Sequence, residues 1–204
     1  MVSLYLDTSS KLTIGILDYE YNWVEYSPSE DQKSSGVIHH RIDELIVKNH
    51  LKIKDFKKLF IINGPGSYTG VRVGEGLGQI FELEKIETFS FHHFQVPFLA
   101  GIIDGIFVCP AFKGEYFVYE WHSNDHHRKL VSEVCADKIY GDQIFSNQDC
   151  SKILSEVDVK NTNEILFTES IKIFSSVVDL RLRTEPFYFR ELNDEFKKRG
   201  NNVS

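Results

Sequence analysis

The strongest constraint on the fold is the stretch at residues 59–81, where an apolar run ends abruptly and a helical pattern begins. Residues 59–62 have the composition of a buried strand, and the Gly64-Pro65-Gly66-Ser67 that follows is typical of a tight turn. Ser67 or Thr69 can cap the next helix. The loop therefore brings backbone N–H groups to a helix N-terminus. That arrangement favours anions, although the Gly-Lys-Ser/Thr of a Walker loop is absent.

The helix after this loop carries a glycine every four residues, at Gly70, Gly74 and Gly78. These positions share one helix face, and each interior glycine costs about 1 kcal/mol relative to alanine. We expect the close approach of another backbone to compensate. That backbone can belong to the same domain or to a partner chain, and the sequence leaves both alternatives open.

The first half of the chain predicts one α/β unit. Alternation over residues 2–6, 12–17 and 21–26 indicates a three-stranded meander. An i, i+4, i+7, i+8 stripe indicates a helix over residues 37–49, with Ser34 or Ser35 as possible caps. A strand at residues 86–89 and a helix at 94–103, interrupted near Pro97, complete the order β-β-β-α-β-α-β-α. This is the order of a ribonuclease-H-like lobe.

The second half begins again with strand patterns, at residues 106–109, 116–121 and 130–134. The pattern beyond them is weaker. It contains an amphipathic stretch near Leu154, a strand at residues 165–167 and a helix through Ile171, Phe174 and Val178. A last helix is predicted at residues 192–199, ending at Gly200. We therefore expect a second, reduced lobe.

The segment Asn63-Gly64-Pro65-Gly66-Ser67-Tyr68-Thr69-Gly70-Val71-Arg72-Val73-Gly74 resembles the GPGSFTGLRIG segment of the bacterial TsaB (YeaZ) family. Leu6-Asp7-Thr8-Ser9-Ser10 is similar to the opening strand and turn of that family, and Pro186-Phe187-Tyr188-Phe189-Arg190 is similar to its closing Pro-x-Tyr-Leu-Arg. The resemblance implies two ribonuclease-H-like lobes of the actin/Hsp70/sugar-kinase (ASKHA) architecture. A returning C-terminal helix implies a first lobe at residues 1–104 plus 187–204 and a second at 105–186.

The resemblance also implies a function. TsaB proteins are noncatalytic partners of the enzyme that makes threonylcarbamoyladenosine in tRNA. The expected partners are thus a TsaD-like catalytic paralogue and a TsaE-like ATPase, with a homodimer possible in isolation, tRNA bound indirectly, and ATP and metal held by the partner subunits. The residues expected to bind the partner lie on the two first-lobe helices: Ile38, Ile42, Leu45, Ile46, Gly70, Val71, Gly74, Glu75 and Gly78.

A second hypothesis is a stand-alone nucleotide-binding enzyme of the same architecture. The residues that would contact phosphates are Asp7, Thr8, Ser9 and Ser10, at the end of the first strand. The same four residue types are also typical of an ordinary hairpin turn, where their side chains bond the neighbouring backbone. The family's Asp-Ala-Arg before Glu-Val-Tyr is replaced here by residues 110–116, of which only Ala111, Glu115 and Tyr116 match. The chain therefore lacks the acidic and arginine pair of the family at this place.

Metal and nucleophile chemistry have weaker support in the sequence. Two histidines four residues apart on a helix can bind one metal ion. Here Asp43, and not histidine, follows His39 by four residues, so the first helix lacks such a pair. His122, His126 and His127 flank a predicted turn, where helical spacing has no meaning. Ser67 lacks the G-x-S-x-G of a nucleophile elbow. We predict neither a metal site nor a catalytic residue, and a metalloprotease-like hydrolase is the third alternative.

Composition limits the remaining classes. The chain of 204 residues is 42% hydrophobic and 26% charged, which is typical of a globular protein. A net charge of −7 argues against this chain alone holding an RNA backbone. Cys109, Cys135 and Cys150 lack a C-x-x-C pair, so we expect reduced, structural thiols. With no leader or spanning segment in view, we expect a cytoplasmic protein that does not bind membranes.

Overall fold

Two five-stranded sheets organise the protein in the computed structural model, which describes residues 1–29, 36–112, 114–123, 125–132, 143–151, 154 and 157–189. The strands are β1 Val2–Asp7, β2 Thr13–Leu17, β3 Trp23–Pro28, β4 Phe56–Ile62, β5 Glu87–Phe91, β6 Asp104–Pro110, β7 Glu115–His122, β8 Asp125–Ser132, β9 Ile144–Ser146 and β10 Val159–Asn161. The helices are α1 Ile38–Lys48, α2 Tyr68–Leu83, α3 Val96–Leu99, α4 Thr162–Thr168 and α5 Ser170–Asp179.

The first sheet has the strand order β3-β2-β1-β4-β5. The meander β1, β2 and β3 is antiparallel, whereas β4 and β5 run parallel to β1. Residue by residue, Leu4 lies opposite Ile16 on one side and Leu59 on the other. Together with α1, α2 and α3, these strands confirm the predicted order of the ribonuclease-H-like lobe. Pro97 lies in the first turn of the short helix α3, which begins at Val96, and does not interrupt a longer helix.

One face of this sheet is covered by α1 and α2. Ile38, Ile42, Leu45 and Ile46 are all buried and pack with strand residues such as Leu4, Ile14 and Leu59 in one hydrophobic core. These four residues were predicted to bind a partner. They instead hold α1 on its own sheet, because burying an apolar stripe of this width stabilises the folded state more than leaving it exposed to water. A partner that binds α1 has to contact its opposite face.

The glycine face of α2 also points inward. A Cβ placed on Gly70 would lie 1.8 Å from the Thr8 carbonyl oxygen, one on Gly74 would lie 2.7 Å from Thr8 Oγ1, and one on Gly78 would lie 2.7 Å from the Ile61 Cδ1. Val71 is fully buried beside them. The second of the two alternatives, a partner backbone against this face, is therefore corrected. Gly70 packs on the backbone of Thr8, Gly74 on the Thr8 side chain and Gly78 on the Ile61 side chain, all within the same lobe.

The other face of the first sheet is covered by α4 and α5. Phe174 and Val177 of α5 pack with Tyr5 and Phe60 in a second core, where the Trp23 indole donates a hydrogen bond to the Phe167 carbonyl at 3.1 Å. The strand predicted at residues 165–167 is wrong, because these residues belong to α4. The helix through residues 171–178 is confirmed as α5. It lies on the first sheet although it falls within residues 105–186.

The second sheet has the order β10-β9-β6-β7-β8, with β6, β7 and β8 antiparallel and β9 and β10 parallel to β6. Its larger core contains Phe107, Phe117, Trp121 and Phe145, all buried. The capping residues Ser34 and Ser35, the helix at 192–199 and most of the stretch around Leu154 lie outside the described residues. In the part that the structure covers, no helix is long and apolar enough to span a bilayer.

The two kinds of glycine in α2 should respond oppositely to alanine. Gly70→Ala forces a Cβ against a backbone oxygen, so we expect a loss of about 3 kcal/mol of unfolding free energy. A Cβ on Gly76 meets no atom of the described residues within 4 Å, so Gly76→Ala should gain about 0.5–1 kcal/mol through helix propensity. Urea denaturation of the two variants measures both values. Equal effects would contradict the inward orientation of the glycine face.

Candidate functional site

A cleft of about 1330 Å³ lies between the two sheets and is the main candidate site. The β1–β2 turn, β3 and the loop before α2 form one wall, and the β6–β7 turn, the end of β9 and α4 form the other. The lining residues on the first wall include Ser9, Ser10, Lys11, Thr13, Tyr26, Gly66, Ser67 and Tyr68, and those on the second include Pro110, Ala111, Phe112, Asn147, Gln148, Asp149, Asn163, Glu164 and Phe167.

A buried polar cluster lies at the root of the cleft, where β1 ends. Asp7 Oδ1 accepts hydrogen bonds from the Ser9 backbone N–H at 2.8 Å and from Ser9 Oγ at 2.6 Å. His93 Nε2 lies 3.1 Å from Asp7 Oδ2 and 3.1 Å from Ser9 Oγ. All three residues are buried. Sequence reasoning missed His93, because only the fold brings the residue after β5 beside the residue that ends β1.

This cluster does not have the geometry of a catalytic triad. In a triad, one imidazole nitrogen faces the carboxylate and the other faces the hydroxyl. Here the same His93 nitrogen faces both groups, while its Nδ1 has no hydrogen-bond partner among the described residues. The Ser9 hydroxyl already donates to Asp7, so the Nε2–H of His93 is the donor and cannot take a proton from Ser9. The arrangement stabilises the turn and gives no activated nucleophile.

The same contacts occupy the residues predicted to hold nucleotide phosphates. Asp7 is 1% exposed, and its two carboxylate oxygens are bonded to Ser9 and His93. The Thr8 hydroxyl donates to the Gly70 carbonyl at 2.7 Å. Of the four predicted residues, Ser9 and Ser10 line the cleft. The structure thus brings the four together in one turn, but it buries Asp7, which does not line the cleft.

The loop before α2 is likewise filled from within the chain. Ser67 caps α2, since its Oγ accepts a hydrogen bond from the Gly70 N–H at 3.3 Å. The Ser67 N–H donates to the Ser9 carbonyl. A Cβ on Gly66 would lie 2.1 Å from that same carbonyl oxygen. The predicted anion cradle is therefore occupied by the β1–β2 turn, which explains why the loop needs a glycine at position 66.

The lining of the cleft is weakly acidic. Within the described residues, Lys11 is the only lysine or arginine that lines it, against Asp149 and Glu164. Burial raises the pKa of Tyr26 to about 12, so this wall residue stays neutral. A site with one cation suits polyphosphates poorly, because phosphate recognition relies on several Lys, Arg or N–H donors.

An ion-pair cluster ties Glu75, predicted as a partner residue, to the chain after α5. The Arg183 guanidinium donates to both Glu75 oxygens at 2.7 and 2.8 Å and to Glu82 Oε1 at 2.9 Å. These hydrogen bonds hold the pKa of Glu75 below its usual value. Since bidentate Arg–carboxylate pairs are geometrically specific, Glu75 acts inside the chain.

The exposed side of α2 carries residues that the sequence analysis did not select. Arg72, Ile80 and Leu83 are exposed, and Gly76 lies between them at helical spacing. Leu83 is 82% exposed and Ile80 53% exposed. The neighbouring α1 exposes Val47 at 65%. We call Arg72, Gly76, Ile80 and Leu83 the outer stripe. These four residues follow an i, i+4, i+8, i+11 spacing, which places them on one helix face. The sequence alone did not identify that face as exposed, because it did not show that the glycine face points inward.

The histidines near the β7–β8 turn have separate partners. His122 lies 3.4 Å from Asp104, His127 lies 3.2 Å from Asp125, and His126 Nδ1 lies 2.8 Å from the Tyr119 hydroxyl. No group of three or more metal-ligating side chains converges among the described residues. Cys109 and Cys150 are buried free thiols, whereas Cys135 falls outside the described ranges.

Comparison with known proteins places the fold. No protein-family model matches the sequence. YeaZ from Pseudomonas aeruginosa superposes with a TM-score of 0.62 at 12% identity, covering 92% of this chain and 99% of that one. A structure described as an uncharacterized protein with similarity to peptidase YEAZ from Pseudomonas aeruginosa gives a TM-score of 0.61, also at 12% identity, over 93% and 99% of the two chains.

The fold class follows from these likenesses and from the two mixed sheets with flanking helices. The chain is a two-lobed α/β protein of the ASKHA architecture, with a second lobe poorer in helices, and it shares its fold with YeaZ. In sequence it is 30% identical over 106 residues to the uncharacterized protein MG208 of Mycoplasma genitalium. The match covers 48% of this chain, which spans about half (54%) of that relative.

The polar cluster can be tested with two adjacent serines. Ser9→Ala removes a buried hydroxyl that bonds Asp7 and His93, so we expect a loss of about 1–3 kcal/mol of unfolding free energy. Ser10 is only half-buried, and Ser10→Ala should stay within about 0.5 kcal/mol of wild type. Chemical denaturation of both variants gives the comparison. A Ser9→Ala variant as stable as Ser10→Ala would show that the cluster does not stabilise the turn.

The burial of the Asp7 carboxylate also predicts that the isolated chain does not bind ATP. ATP with Mg²⁺ should leave the melting temperature of the isolated chain unchanged, because Asp7 faces Ser9 and His93. A ligand at a hundred times its dissociation constant would add about 2.7 kcal/mol, which thermal unfolding detects easily. A rise in melting temperature that Asp7→Ala abolishes would overturn this prediction and favour the nucleotide-binding enzyme.

Proposed function

We propose that this chain is a TsaB-like, noncatalytic subunit that binds and supports a TsaD-like catalytic paralogue in the transfer of threonylcarbamoyl to adenosine of tRNA. A TsaE-like ATPase completes the complex, and ATP and metal are held by the partner subunits. The support is the segment at residues 63–74, which resembles the family motif, and a fold shared with YeaZ over nearly the whole length of both chains. This role in tRNA modification implies a cytoplasmic protein.

The observation that carries the proposal is the outer stripe of α2. It presents two large exposed apolar side chains, Ile80 and Leu83, beside a glycine with open space above it. Interior glycine lowers helix stability by about 1 kcal/mol, and no packing within the part of the chain that the structure describes explains a glycine at position 76. A second helix that approaches closely over Gly76 would account for it. With the exposed face of α1, the outer stripe can form half of a four-helix interface.

A noncatalytic role agrees with the chemistry of the cleft. The groups that could act as nucleophile, base or metal ligand near the β1–β2 turn are engaged with each other: Asp7, Ser9 and His93. The net charge of −7 gives the chain little attraction for an RNA backbone. We therefore assign tRNA binding to the partner. In isolation the same face can pair two copies of this chain.

The cleft itself favours a second candidate, a nucleotide-binding enzyme of the same architecture. A cavity of about 1330 Å³ between the lobes is large enough for a nucleotide. The single lysine among the described lining residues and the sealed carboxylate of Asp7 weigh against it. The melting experiment with ATP and Mg²⁺ separates the two candidates.

The assembly proposal predicts a specific effect at Gly76. Gly76→Leu should reduce binding to the catalytic paralogue from the same host at least a hundredfold, because the leucine side chain fills the space that the partner helix needs. The variant should remain folded, since leucine is a better helix former than glycine. Binding is measured by calorimetry with the purified paralogue, and folding by circular dichroism and thermal unfolding.

The control is His127→Leu, which adds a leucine to β8 at a side chain that is 70% exposed. It should bind the paralogue as wild type does. Unchanged affinity of Gly76→Leu would place the interface elsewhere. If wild type itself shows no affinity for the paralogue, the proposed function is wrong.

A further inference from the structure

One buried side chain in the lining of the cleft leaves its hydrogen-bonding groups unused. Asn147, directly after β9, is 6% exposed and lines the cleft. Neither its Oδ1 nor its Nδ2 has a hydrogen-bond partner among the described residues. Burying an amide in this way costs free energy, because water satisfies both groups in the unfolded chain. Such a group requires an explanation, and a ligand that bonds it is one.

The chain around Asn147 is held in place without its side-chain amide. The Ser146 hydroxyl accepts a hydrogen bond from the Gln148 N–H at 3.1 Å, and the Asn147 carbonyl accepts one from Asn163 Nδ2 at 3.5 Å. Asn161 caps α4, since its Oδ1 accepts from the Asn163 N–H at 2.8 Å. The neighbouring asparagines thus have structural roles. In the part of the chain that the structure describes, the amide of Asn147 has none.

A second orphaned polar group lies on the adjoining element, at the start of α4. Thr162 is fully buried, and its Oγ1 likewise has no hydrogen-bond partner within the described ranges. It stands between Asn161 and Asn163, both of which line the cleft. Asn163 is also the residue that bonds the Asn147 backbone. The same wall of the cleft therefore contains two buried polar side chains whose bonding capacity is not used internally.

The rest of the lining supplies flat apolar surfaces. On the wall that holds Asn147, Phe112 is 53% exposed and Phe167 is 48% exposed. On the opposite wall, the ring centroid of Tyr68 lies 4.9 Å from that of Tyr188. Partly exposed aromatic rings bind flat molecules by stacking. A flat ring between the walls would contact aromatic side chains on both sides.

The charge of the lining favours an uncharged ligand. Asp149 and Glu164 lie on the same wall as Asn147, and Lys11 is the one lysine or arginine that lines the cleft within the described residues. Phosphate groups would meet two carboxylates and a single ammonium, whereas a neutral molecule avoids that repulsion. The edge complementary to an amide carries a donor beside an acceptor, as in an aromatic carboxamide or an adenine base.

We propose that the cleft binds a small, uncharged, flat-ring molecule with a hydrogen-bond donor beside an acceptor on one edge, and that Asn147 recognises that edge. Its Nδ2 donates to the acceptor and its Oδ1 accepts from the donor, while the aromatic side chains stack on the ring. Aromatic carboxamides and free nucleosides share this chemistry. The site goes beyond the assembly role and does not depend on the partner face.

Matched pairs of small molecules test the edge on the wild-type protein. Adenosine is compared with purine riboside, which lacks the amine, and nicotinamide with acetylpyridine, which has a methyl group in place of the amine. The amine should improve binding at least about tenfold, the discrimination expected of one bidentate pair. Calorimetry and saturation-transfer NMR measure the affinities. The pair that shows the preference tells a nucleoside site from a carboxamide site.

Asn147→Leu separates a binding role from a structural one. Leucine has a similar size and no polar atoms, so the ligand-free variant should melt about 2–4 °C higher than wild type, because a buried amide without a partner is removed. It should bind the preferred molecule at least about tenfold more weakly. The matched control is Asn22→Leu, at an exposed asparagine of the β2–β3 turn that does not line the cleft. This control should bind as wild type does.

Phe112→Ala is a second variant that leaves the buried amide in place. Losing one stacking ring should weaken binding of the preferred molecule about tenfold, and an unchanged affinity would overturn the stacking role. An Asn147→Leu variant that melts no higher than wild type, or does not fold, overturns the proposal, because its amide is then bonded within the chain. Unchanged affinity of that variant overturns it too.

The proposal also fails if wild type binds neither adenosine nor nicotinamide, if both pairs show equal affinities, or if glucose binds more tightly than either molecule. These outcomes are independent of the partner assay. A failure of Gly76→Leu in that assay would affect only the proposed function.

Discussion

The close approach of α2 to the turn after β1 is the constraint on which the rest of the structure depends. The Thr8 hydroxyl donates to the Gly70 carbonyl, and a Cβ on Gly70 would overlap the Thr8 carbonyl oxygen. This contact needs glycine on one face of the helix, and it fixes which face of α2 points outward. The core, the sealed turn and the outer stripe all follow from that orientation.

The same contact decides the chemistry of the cleft. With α2 and its preceding loop packed against the β1–β2 turn, Asp7 is buried and both of its carboxylate oxygens contact Ser9 or His93. A buried carboxylate is costly unless it is hydrogen-bonded. The polar cluster therefore stabilises the turn, and a region that sequence alone offers as a phosphate site serves instead to join β1 to the residues after β5.

The chain after α5, at residues 182–189, extends this logic to the whole molecule. Its anchors reach α2 through Glu75, the loop through Asn63 and the second sheet through Phe117. The elements that define the proposed partner face and those that line the cleft are consequently parts of one connected set of contacts.

The sequence by itself determined the element order of the first lobe, the helix cap at Ser67 and the need for close packing against Gly70, because periodicity and turn chemistry are local. It could not say which surface met those glycines, and it gave residues 165–167 as a strand, since a short apolar run fits either structure. Only the tertiary structure placed His93 beside Asp7, Arg183 beside Glu75 and Tyr188 beside Tyr68. These pairs are far apart in the chain, and long-range packing leaves no periodic trace in the sequence around either member.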